Sequence, residues 1–167
     1  DALFVFGKDG LSVAYAATDA DGPGIFIASL DGETAPARVT SDPSGSDSPS
    51  WNPSGDQLMY AKTTTTGEVE ILTVDVTGLD PTVLVAGVGY ASPEWAPDGM
   101  SFVFVKPDSE GRFQLYQAPA AGGAHKQLTS GTADAGSPTW SANGRMIAYT
   151  IASGANVDVW TYDISSA

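Results

Sequence analysis

The chain has 167 residues, 42% of them hydrophobic, and 20 acidic against 7 basic residues give it a net charge of −13. This length and apolar content fit one folded domain, and the charge repels phosphate backbones and anionic headgroups, which excludes nucleic acid as a natural partner. There is no cysteine, which excludes disulfides, thiolate metal sites and cysteine nucleophiles; no apolar run approaches the ~18 residues that cross a bilayer, so no direct membrane span is expected.

The chain begins at Asp1 rather than Met, which reads as an N-terminus that was processed, trimmed or left out. From there, Gly and Pro (19 and 11 residues) punctuate the sequence at short intervals, favouring many short strands joined by turns. The segment 1–44 holds a turn, Phe6-Gly7-Lys8-Asp9-Gly10, then an apolar approach to Tyr15, a strand around Ile25-Phe26 and a short strand near Val39. The segment 45–88 repeats this plan with Ser48-Pro49-Ser50-Trp51 leading into Asn52-Pro53-Ser54-Gly55, followed by Tyr60, Ile71-Leu72 and Leu84. In 89–133 the same places hold Ser92-Pro93-Glu94-Trp95, Ala96-Pro97-Asp98-Gly99, Phe104, Leu115-Tyr116 and Leu128. In 134–167 they hold Ser137-Pro138-Thr139-Trp140, Ser141-Ala142-Asn143-Gly144, Tyr149 and Val159-Trp160; this copy stops after its third strand, at Thr161-Tyr162-Asp163-Ile164.

A period of about 44 residues with four strands per period is the signature of a propeller blade. The glycine of each turn supplies the positive φ of a tight hairpin. The Trp, and the aromatic five residues after the Gly, are expected to pack between neighbouring blades. The Pro before each Trp is expected at the start of its strand, where a missing N–H does least harm. The expected fold class is therefore all-β: a β-propeller of about four four-stranded antiparallel blades, at roughly 1–44, 45–88, 89–133 and 134–167, the last lacking its outer strand. Such a chain is a small four-bladed ring, an arc completed by another chain, or a fragment of a larger ring.

The pattern Ser-Pro-x-Trp-x-Pro-x-Gly followed by an apolar-aromatic strand resembles the TolB-like, WD-repeat-like β-propeller repeat. The third copy is the closest match, running on to Ala120-Ala121-Gly122-Gly123-Ala124-His125-Lys126-Gln127-Leu128-Thr129. The resemblance implies an exported protein, periplasmic or extracellular. It also implies a non-enzymatic scaffold that docks onto other proteins as a peripheral subunit of a larger envelope or membrane-associated complex. Related propellers precede serine peptidase domains of the prolyl oligopeptidase type, or occur in lyases and cell-surface proteins. The alternatives are thus the propeller portion of a larger hydrolase or lyase, or a carbohydrate- or cation-binding surface domain.

No residue set suggests catalysis, and no cofactor is expected. His125 is the single histidine and no Gly-x-Ser-x-Gly elbow exists, so it reads as a solvent-exposed loop residue. Asp19 and Asp21 are weak metal candidates: two carboxylates stand two apart before Gly22, but Pro23 occupies the next ligand place. The links between blades are expected to lie on the channel face, where partners dock. Asp47 (with Asp42 across a Ser/Gly/Pro-rich link), Tyr90 and Asp134 are therefore candidate partner contacts. Trp51, Trp95 and Trp140 recur at one repeat position and read as core rather than a sugar-stacking set. Trp160 and Tyr162 lie in the incomplete last copy and are candidate contacts at an open edge.

Overall fold

The computed structural model describes residues 4–154 and 156–166. Within them the chain forms four antiparallel meanders. The first contains β1 (Phe4–Phe6), β2 (Ser12–Asp19), β3 (Gly22–Ser29) and β4 (Ala37–Arg38), and the second contains β5 (Ser46–Trp51), β6 (Gln57–Thr63), β7 (Val69–Asp75) and β8 (Thr82–Gly87). The third contains β9 (Ala91–Trp95), β10 (Ser101–Pro107), β11 (Phe113–Pro119) and β12 (Lys126–Gln127). The fourth has three strands, β13 (Asp134–Trp140), β14 (Met146–Ser153) and β15 (Asn156–Asp163), and ends in a 3₁₀ turn over Ile164–Ser166. Strands pair in chain order within every sheet, successive sheets pack face to face, and the four blades form an arc that does not close.

Each first hairpin is built alike. Gly10, Gly55, Gly99 and Gly144 have φ of 66°, 84°, 70° and 69°. Each donates its N–H to the carbonyl three residues back, at 2.8–3.0 Å. The degenerate first copy is thus a full hairpin, although Phe6-Gly7 stands where the others have Trp and its follower.

The core lies between blades. β10 shows why: Phe102 and Phe104 face blade 2 alongside Met59, Ile71 and Val85, while Val103 and Val105 face blade 4 alongside Ile147 and Tyr149. Alternation puts successive side chains on opposite faces, and because a blade flanks each face, both sets are buried. Full burial of side chains this size stabilises by roughly 1.5–3 kcal/mol each. Tyr60, Phe104 and Tyr149 all sit in these layers, and Trp51, Trp95 and Trp140 pack into or against them. The expectation that the repeated aromatics are core holds in blades 2 to 4, but Tyr15 of blade 1 is half-buried, outside these layers, and stacks at 5.8 Å on Phe26 of its own blade. At the ends of the arc apolar side chains stay exposed: Phe4 and Phe6 at 60%, Val159 at 75%.

The outer strands of blades 1 and 3 have two residues each, against six in β8, and in both a threonine takes over part of the ladder's work. In blade 3 the N–H of Leu115 donates to Thr129 Oγ1 at 3.0 Å, and in blade 1 that of Ile25 donates to Thr40 Oγ1 at 3.0 Å. One hydroxyl replaces a ladder bond and lets the chain turn toward the next blade.

One expectation needs correction. The proline before each Trp does not start its strand. Ser48-Pro49, Ser92-Pro93 and Ser137-Pro138 lie inside β5, β9 and β13, each at a β-bulge where three residue steps face two on the partner strand. The serines hold φ of 52°, 49° and 47°, a left-handed conformation that non-glycine residues seldom adopt. A bulge leaves one residue out of the ladder, which is the one place in a strand interior where a residue without an N–H fits.

Candidate functional site

The Ser-Pro bulges belong to the innermost strand of blades 2, 3 and 4, and together with β1 these strands surround one funnel. Its volume is about 400 Å³, within the usual range of ligand pockets. The walls carry Ser48-Pro49, Ser92-Pro93 and Ser137-Pro138, with Phe4 and Phe6 on the side of blade 1. The periodic sequence thus puts one strained, polar–apolar dipeptide per blade around a common space, and strained backbone of this kind collects at functional sites.

The residue between Pro and Trp ties each blade to the next. Trp95 donates its backbone N–H to Ser50 Oγ at 3.1 Å. Trp140 donates its N–H to Glu94 Oε1 at 3.0 Å, and the Thr139 hydroxyl donates to the same oxygen at 3.1 Å. In blade 1 the place belongs to Val5, whose carbonyl accepts the Trp51 indole N–H at 3.2 Å. Sequence reasoning passed over this position, although a polar residue recurs there in three copies (Ser50, Glu94, Thr139). Burial in the funnel wall pushes the Glu94 carboxyl above its ordinary value, against the lowering pull of the Trp140 N–H and the Thr139 hydroxyl.

That shift has a sign that can be tested. A carboxyl with a raised folded value holds its proton more tightly in the native state, so its contribution to stability falls as pH rises from below 4.5 through the raised value. Glu94→Gln keeps an acceptor oxygen for both bonds and removes this loss. In urea denaturation the variant is expected to match the parent below pH 4.5 and to exceed it near neutral pH; a deficit near neutral pH would contradict the assignment.

The sequence-predicted contacts lie elsewhere. None of Asp47, Tyr90, Asp134, Trp160 and Tyr162 lines the funnel. Asp47 is exposed within β5, opposite Ala61. Asp42, its neighbour across the link, is buried, accepts the Thr40 hydroxyl at 2.6 Å and pairs with Lys62 at 3.5 Å. Tyr90 is half-buried and its ring lies 5.3 Å from that of Phe104. Asp134 is exposed and accepts the Phe113 N–H at 2.9 Å, joining blades 3 and 4. Trp160 is 56% exposed on β15. Tyr162, half-buried, packs on the layer between blades 3 and 4.

Two readings change on contact with the structure. Asp19 is not available as a lone carboxylate: Arg38 pairs with it, and that bond holds its carboxyl below the usual range. Its Oδ1 also takes the Asp21 N–H at 2.8 Å, while Asp21 itself is exposed. Among the described residues no group of three or more His, Cys, Asp or Glu side chains is placed to hold a metal ion. His125 is half-buried rather than free in solvent. Its ring meets those of Phe104 and Tyr116 edge-on at 5.3 and 5.6 Å, and the Lys106 ammonium lies 4.3 Å from the Tyr116 ring centre on the same cluster. No helix among the described residues is long and apolar enough to cross a membrane.

Residues 5–167 match the family described as the TolB beta propeller domain. No curated relative matches in sequence. Among solved structures, TolB from Acinetobacter baumannii superposes with a TM-score of 0.86 at 26% identity, covering 99% of this chain and 42% of that one. A putative TolB from Agrobacterium tumefaciens gives 0.85 at 20% identity, covering 95% and 60%. A puromycin-hydrolysing peptidase of Mycobacterium tuberculosis gives 0.77 at 16%, covering 98% of this chain and 29% of that one. The chain therefore spans less than two thirds of each of these proteins.

Proposed function

Because the chain belongs to the TolB β-propeller domain family, we propose that it is a non-enzymatic docking module that binds other proteins through its channel face. In this reading it is exported, to the periplasm or the cell exterior, and acts as a peripheral part of an envelope or membrane-associated assembly. The observation that carries the reading is the funnel, where three Ser-Pro bulges held in a strained conformation present hydroxyls and flat apolar rings at one spot. Backbone strain repeated in three blades around one space is well suited to a contact surface.

A second reading follows from the likeness to the peptidase: the propeller portion of a larger hydrolase. One experiment separates the two. A photo-crosslinking residue is placed at Ser92, in the funnel, and in a control at Leu79, an exposed turn position outside it. The native protein is then irradiated in an extract of its own source. Docking predicts a distinct protein adduct from position 92 and none from 79. Adducts from both positions, or adducts only to a hydrolase domain in the same polypeptide, would count against it.

A further inference from the structure

Glu94 is the single charged residue in the funnel wall among the described residues, and the fold does not require its charge. Blade 2 has Ser50 at the same repeat position, and that hydroxyl suffices to accept the N–H of Trp95. Blade 4 has Thr139 there. Both bonds that reach Glu94 from blade 4 fall on Oε1, and no described residue hydrogen-bonds Oε2. The wall offers Oε2 serine hydroxyls and prolines but no lysine, arginine or histidine. A partly desolvated carboxylate is costly without a cation beside it, so an uncompensated one at a contact surface is better suited to binding than to folding.

We propose that the funnel receives a basic side chain, lysine or arginine, carried on an extended segment of the docking partner, with Glu94 Oε2 as its counter-ion. The proposal rests on the docking reading and names the chemistry of what docks. The three proline rings and three serine hydroxyls around the carboxylate suit a peptide, which brings apolar stem and polar backbone together, better than a bare ion. The net charge of −13 adds long-range attraction for a basic segment.

The test uses acetyl-Gly-Arg-Gly-amide, its lysine counterpart, a Gly-Gln-Gly control and guanidinium chloride, titrated into the isotopically labelled chain. The backbone amides of Glu94, Trp95 and Trp140 report binding by NMR. The expected result is saturable shifts with both basic peptides, weakened by salt, and none with the control. Glu94→Gln, and Glu94→Ser, which copies the arrangement of blade 2, should each weaken binding about tenfold or more. Equal binding by the variants, by the neutral peptide, or as tightly by guanidinium alone overturns the proposal. Crosslinking from Ser92 is repeated in Glu94→Gln. An adduct that persists unchanged leaves docking standing and removes the role of Glu94. An adduct absent already from the parent removes docking, while the peptide titration still judges the carboxylate.

Discussion

Gly122→Ala is expected to destabilise the protein by about 3 kcal/mol or more. Gly122 holds φ of +77° in the turn between β11 and β12, and a Cβ built there would overlap the carbonyl oxygen of Leu84 in β8. Two costs add. An alanine in the left-handed region costs roughly 1–2 kcal/mol, and forcing a rigid backbone neighbour aside costs about 1–3 kcal/mol more. The obstacle is main chain of the neighbouring blade, so no side chain can rotate away, and the Gly123 N–H bond to the same Leu84 oxygen, at 3.2 Å, is lost with it. Gly123→Ala is the control: φ is +93° but nothing stands within 4 Å of the added carbon, so only the conformational cost should appear, about 1 kcal/mol at the lower end of that range. In a domain of this size the first variant should lower the melting temperature by about 6–12 °C and the second by about 2–4 °C. Equal shifts would show that blades 2 and 3 are not in contact at this turn.

Phe104→Ala should cost about 3–5 kcal/mol. The ring is fully buried. It lies 5.6 Å from Phe102, 5.3 Å from Tyr90 and 6.1 Å from Tyr116, with His125 edge-on. Its removal leaves a hole that three aromatic neighbours cannot fill by rotating, and each lost ring pair adds to the area term. Phe104→Leu keeps most of the volume and should cost much less. Because each blade contacts only its neighbours, the damage should concentrate between blades 2 and 3. Hydrogen exchange should show the amides of β6, β7, β10 and β11 losing protection before those of β14. Uniform loss across all four blades would contradict that picture.

Much of this was legible in the sequence. The repeat of Trp and Gly at about 44-residue spacing gave four blades, because each copy must build the same sheet to bury the same faces. Periodicity also classed Trp51, Trp95 and Trp140 as core, and the hairpin glycines announced their positive φ. The reading of Pro49, Pro93 and Pro138 failed because a missing N–H is consistent with a strand start or with a bulge, and only the pairing of β5, β9 and β13 with their neighbours distinguishes the two. Asp19 read as a possible ligand because Arg38, its partner, lies 19 residues further on and is brought back by the β3–β4 pairing.

What the sequence determined by itself was therefore whatever repeats: strand order within each blade, the hairpin turns and the aromatic layers. What the tertiary structure decided was where different blades meet. It placed Ser92, Ser48 and Ser137 around one funnel, set Glu94 under Trp140, and folded His125 onto Phe104. The funnel and the Glu94–Trp140 bond join residues some 45 positions apart, or further, across blade interfaces, and His125 meets Phe104 from 21 positions away within blade 3. A periodic signal reports what each blade does alike; which non-equivalent side chains face one another depends on the twist and stacking of whole sheets, which no local pattern encodes.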